Sequence, residues 1–288
     1  MVSSATASAF LPGVFTTGMP RPVAAATSTL TGRGIPVVNT PGKNAEAVAE
    51  LTIAFALLLA RSVPQASRHL LAGGAFAESV FEGREFFGRE AASLTMGLVG
   101  LGHVGREVAR RARALGFAVL GYDPQPPAPP DGAGIELVSL DTLLARSDIV
   151  SLHARLTPEN RLMFSRERFA RMRPGACFIN TARESLVDER ALRQALEQGT
   201  LGGAALDVLE RTPGRHPLLD LPNVLVTPHI GGATTETLTR GAQRAVSAVT
   251  ELLAGRIPAD VVNPQVLRAR VAPAQVTRAQ VTRGGAAL

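Results

Sequence analysis

Gly100, Gly102 and Gly105 stand in the spacing Gly-x-Gly-x-x-Gly, and the chemistry that spacing can do is to cradle a pyrophosphate. Gly100 would make the tight turn, Gly102 would let the backbone approach the phosphates, and Gly105 would let a helix pack closely on a strand. A helix start at that point presents unpaired N–H groups and the positive end of its dipole to the same anion. Such a turn alone is weak evidence, because glycine turns are common; its surroundings decide the reading. Before it lies the apolar run Leu94 to Val99, which reads as a buried strand. After it, Val108, Ala109, Ala112 and Leu115 recur at helical spacing. A second apolar run, Phe117 to Tyr122, ends in Asp123, 23 residues past Gly100. An acid at about that distance grips the ribose hydroxyls and repels a 2′-phosphate, so the expected dinucleotide is NAD.

The elements that position this loop follow the same alternation. Strands are expected near 94–99, 117–122, 135–138, 148–152, 175–180, 201–206 and 223–227, and helices near 104–115, 140–146, 166–171 and 188–198. That pattern is an α/β fold with a doubly wound parallel Rossmann sheet. Upstream, Gly34 to Asn39 reads as a short strand, Thr40-Pro41-Gly42-Lys43 as a turn, and Asn44 to Arg61 as a helix with Val48, Leu51, Ala54 and Leu58 along one side. The other faces of that helix are also apolar, which suggests burial on several sides, for example against a partner subunit. Residues 62–93 read as a polar, glycine-containing approach to the nucleotide unit, and Gln125 to Pro130 as a proline-rich loop. The tail from about 268 repeats Gln-Val-Thr-Arg and is expected to be disordered.

Bulk composition excludes several classes. The chain has 288 residues and a formal net charge of +6. The ends account for that excess: Arg21 and Arg33 before residue 34, and Arg268, Arg270, Arg278 and Arg283 after residue 266, with no acid in either stretch. The charge is therefore two tails and not a basic face, and aromatic residues are only 4%, so no nucleic-acid partner is expected. The longest apolar run, Leu51 to Ala60, is ten residues and too short to cross a membrane. No basic cluster opens the chain, so a secretory signal is not expected either. The single cysteine, Cys177, rules out a disulfide framework, fits a reducing cytoplasm, and reads as a buried structural thiol. His69 and His216 read as plain surface residues.

Several further segments agree with one family. They are Val38-Asn39-Thr40-Pro41 with Ala49-Glu50-Leu51, Tyr122-Asp123-Pro124, and Asn180-Thr181-Ala182-Arg183 followed by Leu186-Val187-Asp188-Glu189. Gly203-Ala204-Ala205-Leu206-Asp207-Val208, Thr227-Pro228-His229-Ile230-Gly231-Gly232-Ala233-Thr234 and Val261-Val262-Asn263-Pro264 complete the set. Over residues 34–266 the chain resembles a D-isomer-specific 2-hydroxyacid dehydrogenase, nearest to the D-3-phosphoglycerate dehydrogenase branch.

The resemblance implies an NAD-binding Rossmann domain over 49–232. An incomplete flavodoxin-like substrate domain would be built from both chain ends, 1–48 and 233–266, with 267–288 as the disordered tail. It implies a cytoplasmic homodimer that transfers a hydride between nicotinamide and C2 of a 2-hydroxy or 2-oxo acid, with no metal. NAD would lie on Gly100, Gly102, His103, Val104 and Gly105, with Asp123 on its ribose. His153, Ala154, Thr181, Ala182, Asp207, Gly231 and Gly232 would border the remainder. Arg183 would bind the substrate carboxylate and polarise the reacting carbonyl, a task suited to the guanidinium fork. His229 would be the acid/base, because imidazole titrates near neutrality.

Two departures bear on activity. The family places a glutamate, which holds the histidine protonated, where this chain has Thr212 before Pro213. Either Glu210 or Glu184 substitutes for it, or His229 works alone with a lower pKa. The family also carries a Gly-x-Gly-x-Asp loop near its start, and Met19-Pro20-Arg21-Pro22-Val23 lacks those glycines. Residues 1–33 are therefore expected to be an altered or shortened beginning. Smaller differences are Glu184 in place of glycine and Arg155 in place of proline. The alternative expectation is an NAD(H)-binding protein without useful turnover, a degenerate copy or a redox-sensing module. Phosphoglycerate, glyoxylate or hydroxypyruvate, and branched 2-oxo acids all stay open as substrates.

Overall fold

Short runs of aliphatic residues with no charge between them can be buried on both faces of a sheet, and here they are. The computed structural model describes residues 21–76, 86–126 and 134–267. The expectations for the start of the chain before Arg21, for the proline-rich loop from Pro127, and for the tail from Arg268 lie outside the described residues.

In chain order the helices and strands are α1 (Arg21–Gly32), α2 (Ala45–Ala60), α3 (Val63–Leu71), β1 (Thr95–Val99), α4 (His103–Ala114), β2 (Ala118–Tyr122) and β3 (Glu136–Leu137). There follow α5 (Leu140–Arg146), β4 (Ile149–Leu152), α6 (Arg166–Arg171), β5 (Ala176–Asn180), α7 (Glu189–Glu197), β6 (Leu201–Leu206), β7 (Val224–Val226) and α8 (Thr235–Leu253). Two compact units emerge, Thr40–Arg244 and, among the described residues, 21–39 with 245–267.

The first unit is built on a seven-stranded sheet of order β3-β2-β1-β4-β5-β6-β7, every pair parallel. Strand order reverses between β1 and β4, the switch point where doubly wound sheets bind ligands at the carboxyl ends of their strands. Alternate residues of each strand feed the two faces. Leu120, Val150, Leu152, Phe178, Ala204 and Leu206 face one layer, with Leu143 and Leu144 of α5, Phe169 of α6 and Leu192 of α7. There Phe164, Phe169 and Phe178 form an aromatic cluster with ring centroids 4.7–5.7 Å apart. Met96, Leu98, Val119, Ile149, Ile179 and Ala205 face the other layer, with Ile53 and Phe55 of α2 and Val108 and Ala112 of α4.

The structure corrects the reading of α2. Its buried residues include Ala49, Thr52, Ile53, Phe55, Ala56 and Leu59, whereas Ala54 on the expected side is exposed and Leu51 and Leu58 are only half-buried. The broad burial is met inside the unit by α4, β5 and β6, so it needs no partner subunit. The stretch 62–93, expected as a polar, glycine-containing approach, contains α3, whose first turn holds Pro64 where a missing N–H costs nothing. Among the described residues no single helix is long and apolar enough to cross a membrane.

In the second unit, the expected strand Gly34 to Asn39 reduces to one antiparallel bridge, Val38 with Val261. Pro36 has no N–H to give, Gly34 takes a left-handed φ of 69°, and the Val37 N–H is claimed by the Asn263 side chain at 2.7 Å. Buried Asn263 also donates to Thr31 Oγ1 and to the Ile35 carbonyl, each at 2.9 Å. In the long helix α8, whose residues divide between the units, Leu238, Val246, Val249 and Leu253 recur at helical spacing, yet that side is exposed. Its buried positions are the small or polar Thr237, Gly241 and Ala248, while Val246 and Leu253 are exposed.

Candidate functional site

Because all seven strands are parallel, the loop that follows each of them leaves the sheet on one edge. The glycine loop follows β1. Gly100 has φ 99°, and a Cβ there would lie 2.6 Å from the Ala154 nitrogen. A Cβ on Gly105 would lie 2.0 Å from the Gly100 carbonyl oxygen. Both positions therefore exclude any side chain, one for strand–loop and one for helix–loop contact. A Cβ on Gly102 would meet nothing within 4 Å, so the space in front of the loop is open. Gly102 is the N-cap of α4 and supplies no side-chain cap, which leaves the first N–H groups of a twelve-residue helix facing that space. Asp123, after β2, turns back to the loop: its Oδ2 accepts the Leu101 N–H at 2.8 Å and its Oδ1 the Gln125 N–H at 2.9 Å. An open cradle with uncapped N–H groups and an acid at the end of the second strand fits a dinucleotide without a 2′-phosphate.

His153 follows β4 and is held by its N–H on the Val99 carbonyl at 2.7 Å and by a ring contact of Nε2 with Ser151 Oγ at 2.9 Å. Burial pushes its pKa down to about 3, so the imidazole is neutral across the physiological range. Between the ordinary value of 6.5 and about 3, the unfolded chain takes up a proton that the folded one refuses. Stability supported by this histidine's neutral state is thus lost as pH falls through that window. The denaturant midpoint should fall from pH 6.5 toward pH 4, and fall less in a His153→Asn variant; equal slopes for the two proteins would contradict this.

After β5 come Asn180, Thr181, Ala182 and Arg183. Thr181 Oγ1 lies 3.0 Å from Thr52 Oγ1 of α2, a buried contact. The Arg183 guanidinium donates to the Ala182 carbonyl, and burial pulls its pKa below the usual arginine value, with neighbouring Glu184 acting in the opposite sense. Asp207 follows β6 with only 2% exposure. Its carboxylate accepts from Thr227 Oγ1 at 2.6 Å, from the Ile230 N–H at 2.8 Å and from the Gly231 N–H at 2.8 Å. These bonds bracket His229, which stands exposed on the loop after β7 with a left-handed φ of 59°. A non-glycine residue in that region carries strain of order 1 kcal/mol, and the buried carboxylate beneath is what holds it.

The matches to known proteins are consistent with this geometry. Residues 53–231 match the model of the D-isomer specific 2-hydroxyacid dehydrogenase, NAD binding domain. The chain belongs to the D-isomer-specific 2-hydroxyacid dehydrogenase family. It is 39% identical over 236 residues to the D-3-phosphoglycerate dehydrogenase of Methanocaldococcus jannaschii, covering 81% of this chain and 44% of that one. It is 38% identical over 246 residues to the glyoxylate reductase of Korarchaeum cryptofilum, covering 83% and 73%. The structure of the family's dehydrogenase from Lactobacillus delbrueckii ssp. bulgaricus in its NAD-complexed form superposes with a TM-score of 0.73 at 30% identity, covering 80% and 73%. The chain spans less than half the length of the phosphoglycerate dehydrogenase and carries the family's NAD-binding domain.

Within this family member, every expected site residue but one sits on the loops or helix start of that single edge. Glu210 is the exception in orientation. It is exposed, and its backbone N–H is held by Glu189 Oε1 of α7 at 2.8 Å. Among the described residues neither Glu210 nor Glu184 hydrogen-bonds the His229 ring. His216 is not a plain surface residue: its side chain is 11% exposed and its Nε2 lies 2.8 Å from Glu189 Oε2. The pair, with the Glu210 contact, ties both ends of the segment carrying Thr212 to the start of α7. His69 is likewise half-buried, with its ring 5.2 Å from that of Phe86. Cys177 is half-buried, and burial together with Asp148 pushes its thiol up to about 11, which leaves it inert. A cavity of about 280 Å³ lies at the opposite edge of the sheet, where Asp148 already pairs with Arg89 at 2.6 Å and Arg173 at 2.8 Å.

Proposed function

We propose that this chain acts as an NAD-dependent oxidoreductase on a 2-hydroxy or 2-oxo acid, with Arg183 and His229 as its catalytic residues. The observation that carries the reading is that buried polar side chains hold the backbone beside both residues, at Ala182 and at Ile230 and Gly231, on the same sheet edge as the open glycine cradle. Gly100 to Gly105 hold the pyrophosphate and Asp123 the adenosine ribose; His153, Ala154, Thr181, Ala182, Asp207, Gly231 and Gly232 border the rest of the coenzyme. When bound, the nicotinamide supplies the hydride that adds to C2 in reduction. Arg183 pairs with the substrate carboxylate and draws electron density from the carbonyl oxygen. His229, in its protonated form, gives its proton to that oxygen, leaving a neutral imidazole and a hydroxy acid. In the oxidative direction the neutral ring takes the hydroxyl proton.

The assigned NAD-binding domain, 49–232, lies inside the compact unit Thr40–Arg244. The remaining described residues at both ends form part of a substrate domain. A homodimer in the cytoplasm completes the proposal. The second reading, coenzyme binding without turnover, is favoured by one observation: His229 has no carboxylate on its ring among the described residues. Titration with NADH, followed by nicotinamide fluorescence, tests the coenzyme site. Binding should saturate, weaken with NADPH, and fall at least tenfold in Asp123→Ala, the loss of a charge-assisted pair worth about 1.5–3 kcal/mol. Turnover at 340 nm against 3-phosphohydroxypyruvate, glyoxylate, hydroxypyruvate and branched 2-oxo acids then separates the two readings. NADH binding without oxidation by any of them leaves the second.

A further inference from the structure

We infer that Asn180 is a positioning residue for the substrate-facing arginine, an inference that rests on the reading of Arg183 just given. Asn180 ends β5 and is 1% exposed. A buried amide in that position must satisfy an acceptor and two donors. Its Oδ1 accepts the Ala182 N–H at 2.9 Å, and its Nδ2 donates to the Arg183 carbonyl at 2.9 Å. Its own carbonyl accepts the Asp207 N–H at 3.0 Å. The side chain thus grips the peptide unit before Ala182 and the one after Arg183, and the main chain ties that grip to the residue that brackets His229. One residue therefore joins the two loops that carry the proposed chemistry.

Only an amide of this length does the whole task. Reversing the amide would set oxygen against the Arg183 carbonyl and N–H against the Ala182 N–H, so the network determines its orientation. Aspartate would keep the Ala182 bond but has no donor for the Arg183 carbonyl, and it would place a negative charge close to the guanidinium. Arg183 itself stands at extended φ −145° and ψ 141° just before a tight turn, Glu184–Leu186. The Arg183 carbonyl also accepts the Leu186 N–H of that turn at 3.3 Å, so the clamp and the turn together set the course of the backbone from which the guanidinium projects. A displacement of about 1 Å in such a group costs on the order of 10²-fold in rate.

The test uses the full chain and its Asn180→Ala and Asn180→Asp variants. Ser147→Ala is the control, a 0%-exposed polar residue whose hydroxyl donates to the Leu143 carbonyl, remote from these loops. Amide hydrogen exchange should quicken at Ala182 in Asn180→Ala while the β1 and β4 amides keep their protection. The Kd of oxamate for the NADH-loaded chain, and the KM of any turned-over 2-oxo acid, should rise about tenfold or more in both Asn180 variants. NADH affinity should stay within twofold, and Ser147→Ala should change neither ligand. Unchanged Ala182 exchange in a folded Asn180→Ala protein overturns the clamp. Faster exchange with unaltered oxamate affinity and KM overturns its link to Arg183. A wild-type chain that neither binds oxamate nor turns over any 2-oxo acid refutes the functional reading and the link with it, while the exchange at Ala182 still decides the clamp by itself.

Discussion

Arg183→Gln is expected to lower kcat/KM for 2-oxo acids by about 10²–10⁴ while NADH affinity is retained, because a buried charge pair loses one partner at a cost of about 3–5 kcal/mol and each 1.36 kcal/mol is a decade. The size of the effect comes from where the guanidinium sits. Burial already depresses its pKa, so its charge is poorly solvated and gains much from an arriving carboxylate. Glutamine keeps a donor but loses both the charge and the fork. Arg183→Lys should recover part of the loss by restoring charge without bidentate geometry. Steady-state reduction kinetics with the best acid from the panel decide the matter. An Arg183→Gln enzyme with wild-type kcat/KM would remove Arg183 from the site.

The second large effect is expected at His229. Replacing it by glutamine should lower kcat by about 10²–10⁴, the usual contribution of a positioned proton donor. Reduction takes up a proton and oxidation releases one, so raising the pH should slow wild-type reduction and speed oxidation. In His229→Gln that limb should vanish from the pH–rate profile. Thr212→Glu supplies the missing acid at the position where the family carries one. A carboxylate beside an imidazolium favours its charged form, so the limb should move to higher pH and extend the range of fast reduction. A profile that Thr212→Glu leaves in place would show that the segment 208–217, pinned through Glu189 and His216, holds residue 212 away from the ring.

The sheet was legible because parallel strands buried on both faces are short aliphatic runs, and because glycine and acid stand where they must around the first crossover. All seven expected strands occur, shortened by at most a residue or so at each end. The elements that escaped are those whose burial does not follow hydrophobicity. Helix α8 buries threonine, glycine and alanine and exposes valine and leucine, so its periodicity points the wrong way. Helix α3 follows a left-handed Ser62 and has a proline in its first turn, punctuation that reads equally well as a turn. The Gly34–Asn39 segment has the composition of a strand, but a distant asparagine, Asn263, takes the N–H that a ladder would need.

The candidate site divides the same way. Residues whose role depends on their own type and on near neighbours, Gly100, Gly102, Gly105 and Asp123, are readable in sequence because a turn, a helix start and a strand end are local events. The residues that hold Arg183 and His229 in place are another matter. Asp207, after β6, meets Ile230 and Gly231 after neighbouring β7, and Asn180, at the end of β5, meets Asp207 after neighbouring β6. Asn180 stands inside a recognisable segment, yet nothing in its spacing marks its side chain as the clamp. Glu210 and His216 show the converse: both are near Thr212 in sequence, and both are drawn to Glu189 on α7 instead of to the proposed acid/base. Read alone, the chain discloses the fold class, the coenzyme cradle and the side chains proposed to react. Which buried polar groups hold the loops that carry them is set by the fold, because a hydrogen bond between chain-distant residues exists only once the sheet has set its strands side by side.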